Sequence, residues 1–365
     1  MASRRPLCSG AAKIRDPIGV SSELLPAGLC SALSYLPSGR RRRLNPGLGD
    51  RMGTYVVRCI LQIVPTLLLI TVLVFGLLQV TGGDPIAIMM GPSATTELIE
   101  QVRHELDLDQ PLYIRYPRWL GRVAQGDLGK SLRTRRPVAD MILARVPTTL
   151  TLAASATLFS VLVGIAGGIY AALRRGRPGS YLVGALAIVG ASVPNYFLAL
   201  VLMVILGVEL RLVPIAAFSI DALRAPETLA NLIMPTIALG AAYTALLSRI
   251  TRASMLEVLE QDYVRTARAK GLGEWMVSGR HALRNAMLPV VTQIAINAVY
   301  LLGGSVLIET IFALPGIGSL LVESIVSRDL PVVQGITLLV GLLFIVVNLA
   351  TDLLYSALDP RIRHA

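Results

Sequence analysis

Six long apolar stretches dominate the pattern of hydrophobic and polar positions along the chain. A helix that crosses a bilayer needs about 20 apolar residues, and each stretch reaches that length without an Asp, Glu, Lys or Arg. The stretches cover residues 59–83, 148–173, 181–208, 228–248, 285–308 and 330–351. The pattern therefore predicts an all-α, polytopic membrane protein with six transmembrane helices.

Helix-breaking residues interrupt several of these stretches. They are Pro65, Pro194, Pro235 and Pro289, together with the pairs Gly167-Gly168 and Gly303-Gly304. Membrane helices tolerate such residues because neighbouring helices satisfy the backbone groups that they free. Small residues also let two helices approach each other closely. We therefore expect these positions to serve helix packing in the first place.

The charges between the stretches predict the orientation of the chain. Short cytoplasmic loops of membrane proteins carry an excess of Lys and Arg. The connections after the second and fourth stretches are basic, with seven Lys and Arg between residues 249 and 284. The short connections on the other side contain more acidic than basic residues. This asymmetry predicts that both termini are cytoplasmic and that a long loop at 84–147 is external.

Residues 1–51 differ in character from the rest of the chain. They are rich in Ser, Pro, Gly and Arg, and they contain no unbroken apolar core of the kind a signal peptide needs. We predict a basic, disordered extension in front of a transmembrane domain at 52–365. Two hypotheses stay open, because Met52 directly precedes the first apolar stretch. Translation starts at Met52, or the extension is a tail at the membrane surface.

Composition argues against several classes of function. Apolar residues make up 54% of the 365 residues and charged residues 16%, whereas soluble domains average about 25% charged residues. The net charge of +11 comes largely from the extension and the connections. No basic stripe interleaved with aromatic residues is present, which argues against a nucleic-acid partner. The stretches also lack the mid-membrane ionisable residues of an ion-driven carrier. They contain no Ser/His or paired-Asp set for an intramembrane enzyme, and the cysteines and histidines form no metal motif.

The connection at 251–287 has a helical pattern of its own. Two sets of apolar residues recur at helical spacing, namely Leu256, Leu259, Tyr263 and Ala267, and then Met276, Gly279, Leu283 and Met287. Charged residues occupy the other face of the first set, and Gly271 and Gly273 separate the two sets. The pattern predicts a helix–turn–helix that docks into a groove on a soluble partner. An amphipathic linker on lipid headgroups is the alternative.

Several motifs carry a resemblance to a known family. Asp262-Tyr263-Val264-Arg265-Thr266-Ala267-Arg268-Ala269-Lys270-Gly271-Leu272, followed by Leu288-Pro289, resembles the EAA loop of binding-protein-dependent ABC permeases. Agreement with the dipeptide and oligopeptide branch continues at Gly83-Asp84-Pro85, Gly126-Asp127-Leu128-Gly129, Leu314-Pro315-Gly316-Ile317-Gly318 and Leu358-Asp359-Pro360-Arg361. The resemblance covers residues 52–363. Of the general Glu-Ala-Ala pattern only the last alanine is present, as Ala267, while Arg265 and Thr266 occupy the first two positions.

The resemblance implies a fold, a function and partners. The fold is the all-α ABC importer permease (MetI-like) type, and the chain is a transport subunit of the bacterial inner membrane, with no cofactor and no enzymatic activity of its own. Its implied partners are a second homologous permease, two ATPase subunits that bind ATP and Mg²⁺, and an extracytoplasmic substrate-binding protein. The implied ATPase-coupling residues are Asp262, Arg265, Ala267, Arg268, Lys270, Gly271 and Leu272. Dipeptides or oligopeptides are the implied substrates, with nickel, glutathione or another small solute as alternatives.

Polar residues inside the stretches are candidates for the translocation path. A polar side chain in lipid is costly, so such residues are often functional. The candidates are Asn195, Tyr196, Gln293, Asn297 and Tyr300, of which the last three share one helical face. Interhelical hydrogen bonding is the alternative. Glu309 and Asp352 lie at the ends of stretches, where we expect them to anchor the membrane interface or a partner subunit.

One motif points to a different chemistry. Residues 124–131, ending in Gly129-Lys130-Ser131, fit a relaxed phosphate-loop pattern. A genuine phosphate loop follows a buried strand and opens a helix. The preceding residues 116–123 have instead the pattern of an amphipathic helix. We therefore predict that this segment does not bind nucleotide.

Overall fold

The computed structural model describes residues 65–76, 95–105, 110–213 and 226–358, so the extension 1–51, Met52 and loop residues 84–94 lie outside the described residues. Within the described ranges the regular elements are helices, apart from a single isolated bridge between Lys130 and Pro137. The helices are α1 (Pro65–Gly76), α2 (Thr96–Glu105), α3 (Leu112–Ala124), α4 (Val138–Leu173), α5 (Pro178–Ser192), α6 (Asn195–Leu202), α7 (Pro226–Leu259), α8 (Asp262–Ala269), α9 (Glu274–Met276), α10 (Leu283–Ile311), α11 (Ile317–Val326) and α12 (Leu330–Leu358). Two π-helical segments, Met203–Glu209 and Val277–Ala282, extend α6 and α9.

Every predicted span coincides with an apolar helix or helix pair. Helices α4, α7 and α12 each contain a segment long and apolar enough to cross a bilayer. Two bent units each add one more, namely α5 with α6, and the stretch Glu274–Ala298 with Gly303–Ile311, which is bent by 58° inside α10. The first predicted span is represented by α1, and its flanks at 59–64 and 77–83 lie outside the described residues. The prediction of an all-α, polytopic protein is confirmed.

The third predicted span is two helices rather than one. The α5 helix and the α6 helix with its π-helical extension meet at 106°. Val193 between them is extended, with φ −80° and ψ 123°, because the ring of Pro194 disfavours a helical conformation for the preceding residue. Pro194 lacks an N–H group but suits the start of a helix, and α6 begins directly after it. The continuous helix over 181–208 is therefore corrected to a sharply broken span.

Helices α4 and α7 form the closest pair in the described fold, and small residues make this possible. A Cβ atom on Gly168 of α4 would lie 2.6 Å from Thr251 Cβ and 2.7 Å from the Ser248 carbonyl oxygen of α7. On the α7 side, a Cβ atom on Gly240 would lie 3.0 Å from the Ala156 carbonyl oxygen. The predicted packing role is thus confirmed for Gly168. Helices α6 and α10 complete the main buried core around this pair.

Candidate functional site

The segment predicted to couple to a partner folds as a helical hairpin, which we call the α8–α9 hairpin (residues 262–282). Helix α8 ends at Ala269, and Gly271 adopts a left-handed conformation with φ +78°. The Gly271 N–H donates to the Arg268 carbonyl at 2.9 Å, and the Leu272 N–H donates to the Ala267 carbonyl at 3.4 Å. Such backbone bonds around a glycine end helices in general. The predicted helix–turn–helix is confirmed.

One face of the hairpin is buried against its own chain, and it includes residues outside the predicted apolar set. Val264 and Val277 are fully buried and Ala267 nearly so, and they pack with Leu259 and Leu272. Helix α7 ends at Leu259, and α8 begins only at Asp262. The predicted apolar positions at 256 and 259 therefore belong to α7, and α8 starts in a new register. Tyr263 of the predicted apolar set is exposed, and its hydroxyl accepts a hydrogen bond from Asn285 Nδ2 at 2.7 Å. The apolar face is therefore used within the chain and is not free for a partner.

The charged residues of the hairpin divide into two kinds. Asp262 and Arg265 form a long ion pair of 3.7 Å with side chains 99% and 71% exposed, so the pair adds little stability. Arg268 instead bonds Glu274 twice across the turn, from Nε to Oε1 at 2.8 Å and from Nη2 to Oε2 at 3.3 Å. This bidentate pair fixes how α8 and α9 meet. Glu274 was not predicted as part of the site, although its charge is opposite to that of Arg268 across the turn.

Exposed apolar side chains accompany these charges. Trp275 is 90% exposed, and Tyr263 and Met276 are also exposed. Lys270 and Gly271 lie beside them on the exposed turn. Aromatic and arginine side chains dominate the binding energy of many interfaces. The hairpin is thus fixed to its own chain by one face and presents an aromatic, charged face outwards.

The polar candidates for the translocation path are only partly brought together. Gln293 Nε2 donates to Asn297 Oδ1 at 2.9 Å on α10. Asn297 is 3% exposed, and its Nδ2 is buried without a hydrogen-bond partner among the described residues. Tyr300, one turn further, is exposed.

The other two path candidates lie at the start of α6. Asn195 Oδ1 accepts from the Tyr196 backbone N–H at 2.9 Å, and Tyr196 is exposed. Helix α6 packs against α7 and α10. No hydrogen bond joins these two residues to the α10 pair in the part of the chain that the structure describes. The α10 pair is thus the better-defined polar feature inside the spans.

The phosphate-loop-like segment has a different architecture. It follows α3 rather than a strand, as predicted, and no helix opens at Lys130. Ser131 Oγ donates to Asp329 Oδ2 at 2.5 Å, and the Leu132 N–H donates to Asp329 Oδ1 at 3.0 Å. Asp329 is nearly fully buried and ties this loop to the start of α12. The serine that would bind Mg²⁺ in a phosphate loop is therefore used as a structural contact.

Glu309 carries a second buried carboxyl group, and its hydrogen bonds to other parts of the chain were not predicted. Glu309 is 0% exposed, and its Oε2 accepts from the backbone N–H groups of Gly318 at 2.7 Å and Ser319 at 3.1 Å. Thr149 of α4 donates to Oε1 at 2.8 Å and accepts from the Ile317 N–H at 2.9 Å. The carboxyl group therefore caps the N-terminus of α11. The expectation that Glu309 anchors the membrane interface or a partner is wrong, and the Asp352 side chain lies outside the described set.

Two family models match the sequence. The N-terminal membrane component of binding-protein-dependent transport systems matches residues 52–153, and the inner membrane component of the same systems matches residues 164–364. The glutathione transport system permease protein GsiC of Escherichia coli (strain K12) is 42% identical over 313 residues, which are 86% of this chain and 100% of that protein. The protein of that name from Shigella dysenteriae serotype 1 (strain Sd197) gives the same values.

Solved structures also resemble the chain. The inward-facing MetNI methionine ABC transporter aligns with a TM-score of 0.49 and 18% identity, over 60% of this chain and 96% of that chain. The family match by itself spans more than half of the sequence, and the relatives are matched along their full length. The chain therefore belongs to the family of inner-membrane permease components of binding-protein-dependent ABC transport systems.

Proposed function

We propose that this permease imports short peptides across the cytoplasmic membrane, driven by ATP that separate subunits hydrolyse. The similarity to permeases of glutathione transport systems supports a peptide-type substrate, because glutathione is itself a tripeptide. Dipeptides and oligopeptides share its chemistry, namely amide donors and acceptors between two charged ends. The uncharged polar pair Gln293 and Asn297 on α10 suits such a substrate, since amides pair with amides without a fixed charge.

The observation that carries the proposal is the direct connection between the α8–α9 hairpin and α10. The π-helical turns Val277–Ala282 run into Leu283, the first residue of α10, without a loop. Gln293 and Asn297 lie three to four turns further along this helix. A displacement of the hairpin is therefore passed to the polar pair through a continuous helix. This is the geometry that coupling between a soluble motor and a membrane pathway requires.

The family to which the chain belongs supports a set of partners. Two ATPase subunits dock on the exposed face around Trp275, Lys270 and Arg265, one on this chain and one on a second, homologous permease. An extracytoplasmic binding protein delivers the peptide to the opposite side. The basic connections at 174–177 and 249–284 favour a cytoplasmic hairpin and cytoplasmic termini. ATP and Mg²⁺ belong to the ATPase subunits.

Purification followed by reconstitution tests the proposal. The full chain is tagged, purified in mild detergent with the subunits that accompany it, and placed in liposomes containing ATP. We expect a second permease and an ATPase to co-purify, and uptake of labelled glutathione that excess dialanine or a pentapeptide reduces. Uptake of nickel that no peptide reduces would contradict a peptide substrate. Transport by this chain alone would contradict an ATP-driven assembly.

Replacing Lys130 by Ala should leave nucleotide binding by the assembled transporter unchanged. Ser131 is engaged by Asp329, and none of the described helices begins at Lys130. Binding of a fluorescent ATP analogue to the purified complex measures this. Loss of binding in the variant would mean that the segment contributes to a nucleotide site.

A further inference from the structure

A cavity of about 540 Å³ opens between α4, α5 and α7, close to the connection at 174–177. Its lining combines three arginines, Arg175, Arg249 and Arg252, with a mostly apolar remainder. None of the side chains that line it is acidic. Under the proposed orientation the cavity faces the cytoplasmic leaflet, where anionic phospholipids attract basic residues. The inference that follows rests on that part of the proposed function.

The arginines of this cavity are incompletely satisfied. Arg175 pairs with Glu260 at 3.3 Å, but the two side chains are 66% and 70% exposed, so the pair is weak and exchangeable. Arg249 and Arg252 form no ion pair within the described residues, and Arg252 Nε is buried without a hydrogen-bond partner there. A buried guanidinium N–H that lacks an acceptor is costly. The cavity therefore has positive charge and an unused donor to offer an anion.

The apolar part of the cavity favours a lipid over a soluble anion. Val183, Gly184 and Ala187 of α5 line it, and a Cβ atom on Gly184 would meet nothing within 4 Å. The adjacent α5 side chains Leu182 and Leu186 are exposed. A free phosphate would leave this apolar surface uncovered, whereas the acyl chain of a membrane lipid covers it.

We propose that this cavity binds an anionic phospholipid, with the phosphodiester at Arg249 and Arg252 and an acyl chain along α5. The planar guanidinium groups suit phosphate oxygens, which accept two hydrogen bonds from one arginine. Helix α7 continues from these arginines to Leu259 and then to the α8–α9 hairpin. The lipid therefore binds at the base of the helix that supports the proposed docking surface.

A lipid titration of the purified complex tests the proposal. Native mass spectrometry measures binding of phosphatidylglycerol, with phosphatidylcholine as the lipid without net charge. We expect selective binding of phosphatidylglycerol, and an affinity about 30-fold lower in Arg249→Gln/Arg252→Gln, at about 1 kcal/mol for each arginine. The matched control Arg174→Gln/Arg177→Gln removes the same charge from the neighbouring connection, outside the lining. It should bind as the wild type does.

Two further variants separate loss of the site from loss of the fold. Arg249→Lys/Arg252→Lys keeps the charge and should retain most of the affinity. Gly184→Leu keeps both arginines but fills the groove, and it should lose the lipid. Equal binding by both arginine-to-glutamine double variants, or wild-type binding by Gly184→Leu, would overturn the proposal.

Two further outcomes of the titration would identify other occupants of the cavity. Displacement of phosphatidylglycerol by millimolar inorganic phosphate would assign the cavity to a soluble anion and overturn a lipid site. Binding by the isolated chain but not by the assembled complex would mean that a partner subunit covers the cavity, which also overturns it. Lipid binding is measured without transport, so a failure of peptide uptake leaves this result intact and contradicts the proposed substrate alone.

Discussion

Replacing Glu309 by Ala should lower the free energy of unfolding by about 3–5 kcal/mol, a loss typical of a broken buried polar network. Three donors lose their acceptor in this variant, namely the N–H groups of Gly318 and Ser319 and the hydroxyl of Thr149. The carboxyl group that they share is fully buried, Gly318 and Thr149 are buried, and Ser319 is half-buried. Each unsatisfied buried donor costs about 1–3 kcal/mol. Unfolding of the detergent-solubilised protein in increasing dodecyl sulfate measures the change.

Glu323 provides the matched control for this prediction. It lies on the same helix, α11, and pairs with Arg133 at 3.2 Å, but both side chains are more than half exposed. Glu323→Ala should therefore cost at most about 1 kcal/mol. Equal destabilisation by the two variants would show that the carboxyl group of Glu309 does not hold α11 in place.

The helical, membrane-spanning character of the chain was predictable from the sequence because a long apolar run is a local property. The break in the third span was not. Pro194 marked the position, but a proline in a membrane helix produces either a kink or a complete break, depending on how neighbouring helices satisfy the freed backbone groups. The 106° angle between α5 and α6 depends on the packing of α6 against α7 and α10. Those contacts join residues far apart in the chain.

The same limit applies to Glu309 and to the hairpin. Glu309 meets Thr149 across 160 residues, and no periodicity links the two. The glycines near Glu309 were a usable signal of a close contact, because a residue without a side chain leaves room for the carboxyl group. A Cβ atom on Gly316 would lie 2.2 Å from Glu309 Oε2. In the hairpin, periodicity predicted the helices but not the burial of Val264 and Val277, because the end of α7 at Leu259 sets the register of α8. The helices were predictable there, and the face that packs against the chain was not.

Replacing Gly271 by Val should uncouple ATP hydrolysis from peptide uptake and leave membrane insertion intact. Gly271 has φ +78°, a conformation that costs other L-residues about 1–2 kcal/mol and is still less accessible to a β-branched one. A strain of about 2 kcal/mol lowers the ratio of hairpins with the native turn to hairpins with another turn about 30-fold. The spans contribute most of the buried core and do not depend on this turn. We therefore expect ATP-driven uptake in proteoliposomes to fall about 10-fold or more, while the chain still reaches the membrane.

Gly273 offers a control in the same turn that isolates the backbone effect. A Cβ atom on either glycine meets nothing within 4 Å, but Gly273 has φ −62° and ψ 145°, which valine adopts readily. Gly273→Val should therefore retain most of the uptake. Gly271→Asn should recover part of it, because asparagine tolerates the left-handed region. If Gly271→Val and Gly273→Val transport equally well, the turn of the α8–α9 hairpin does not transmit the motion of the ATPase, and the exposed face around Trp275 must act without it.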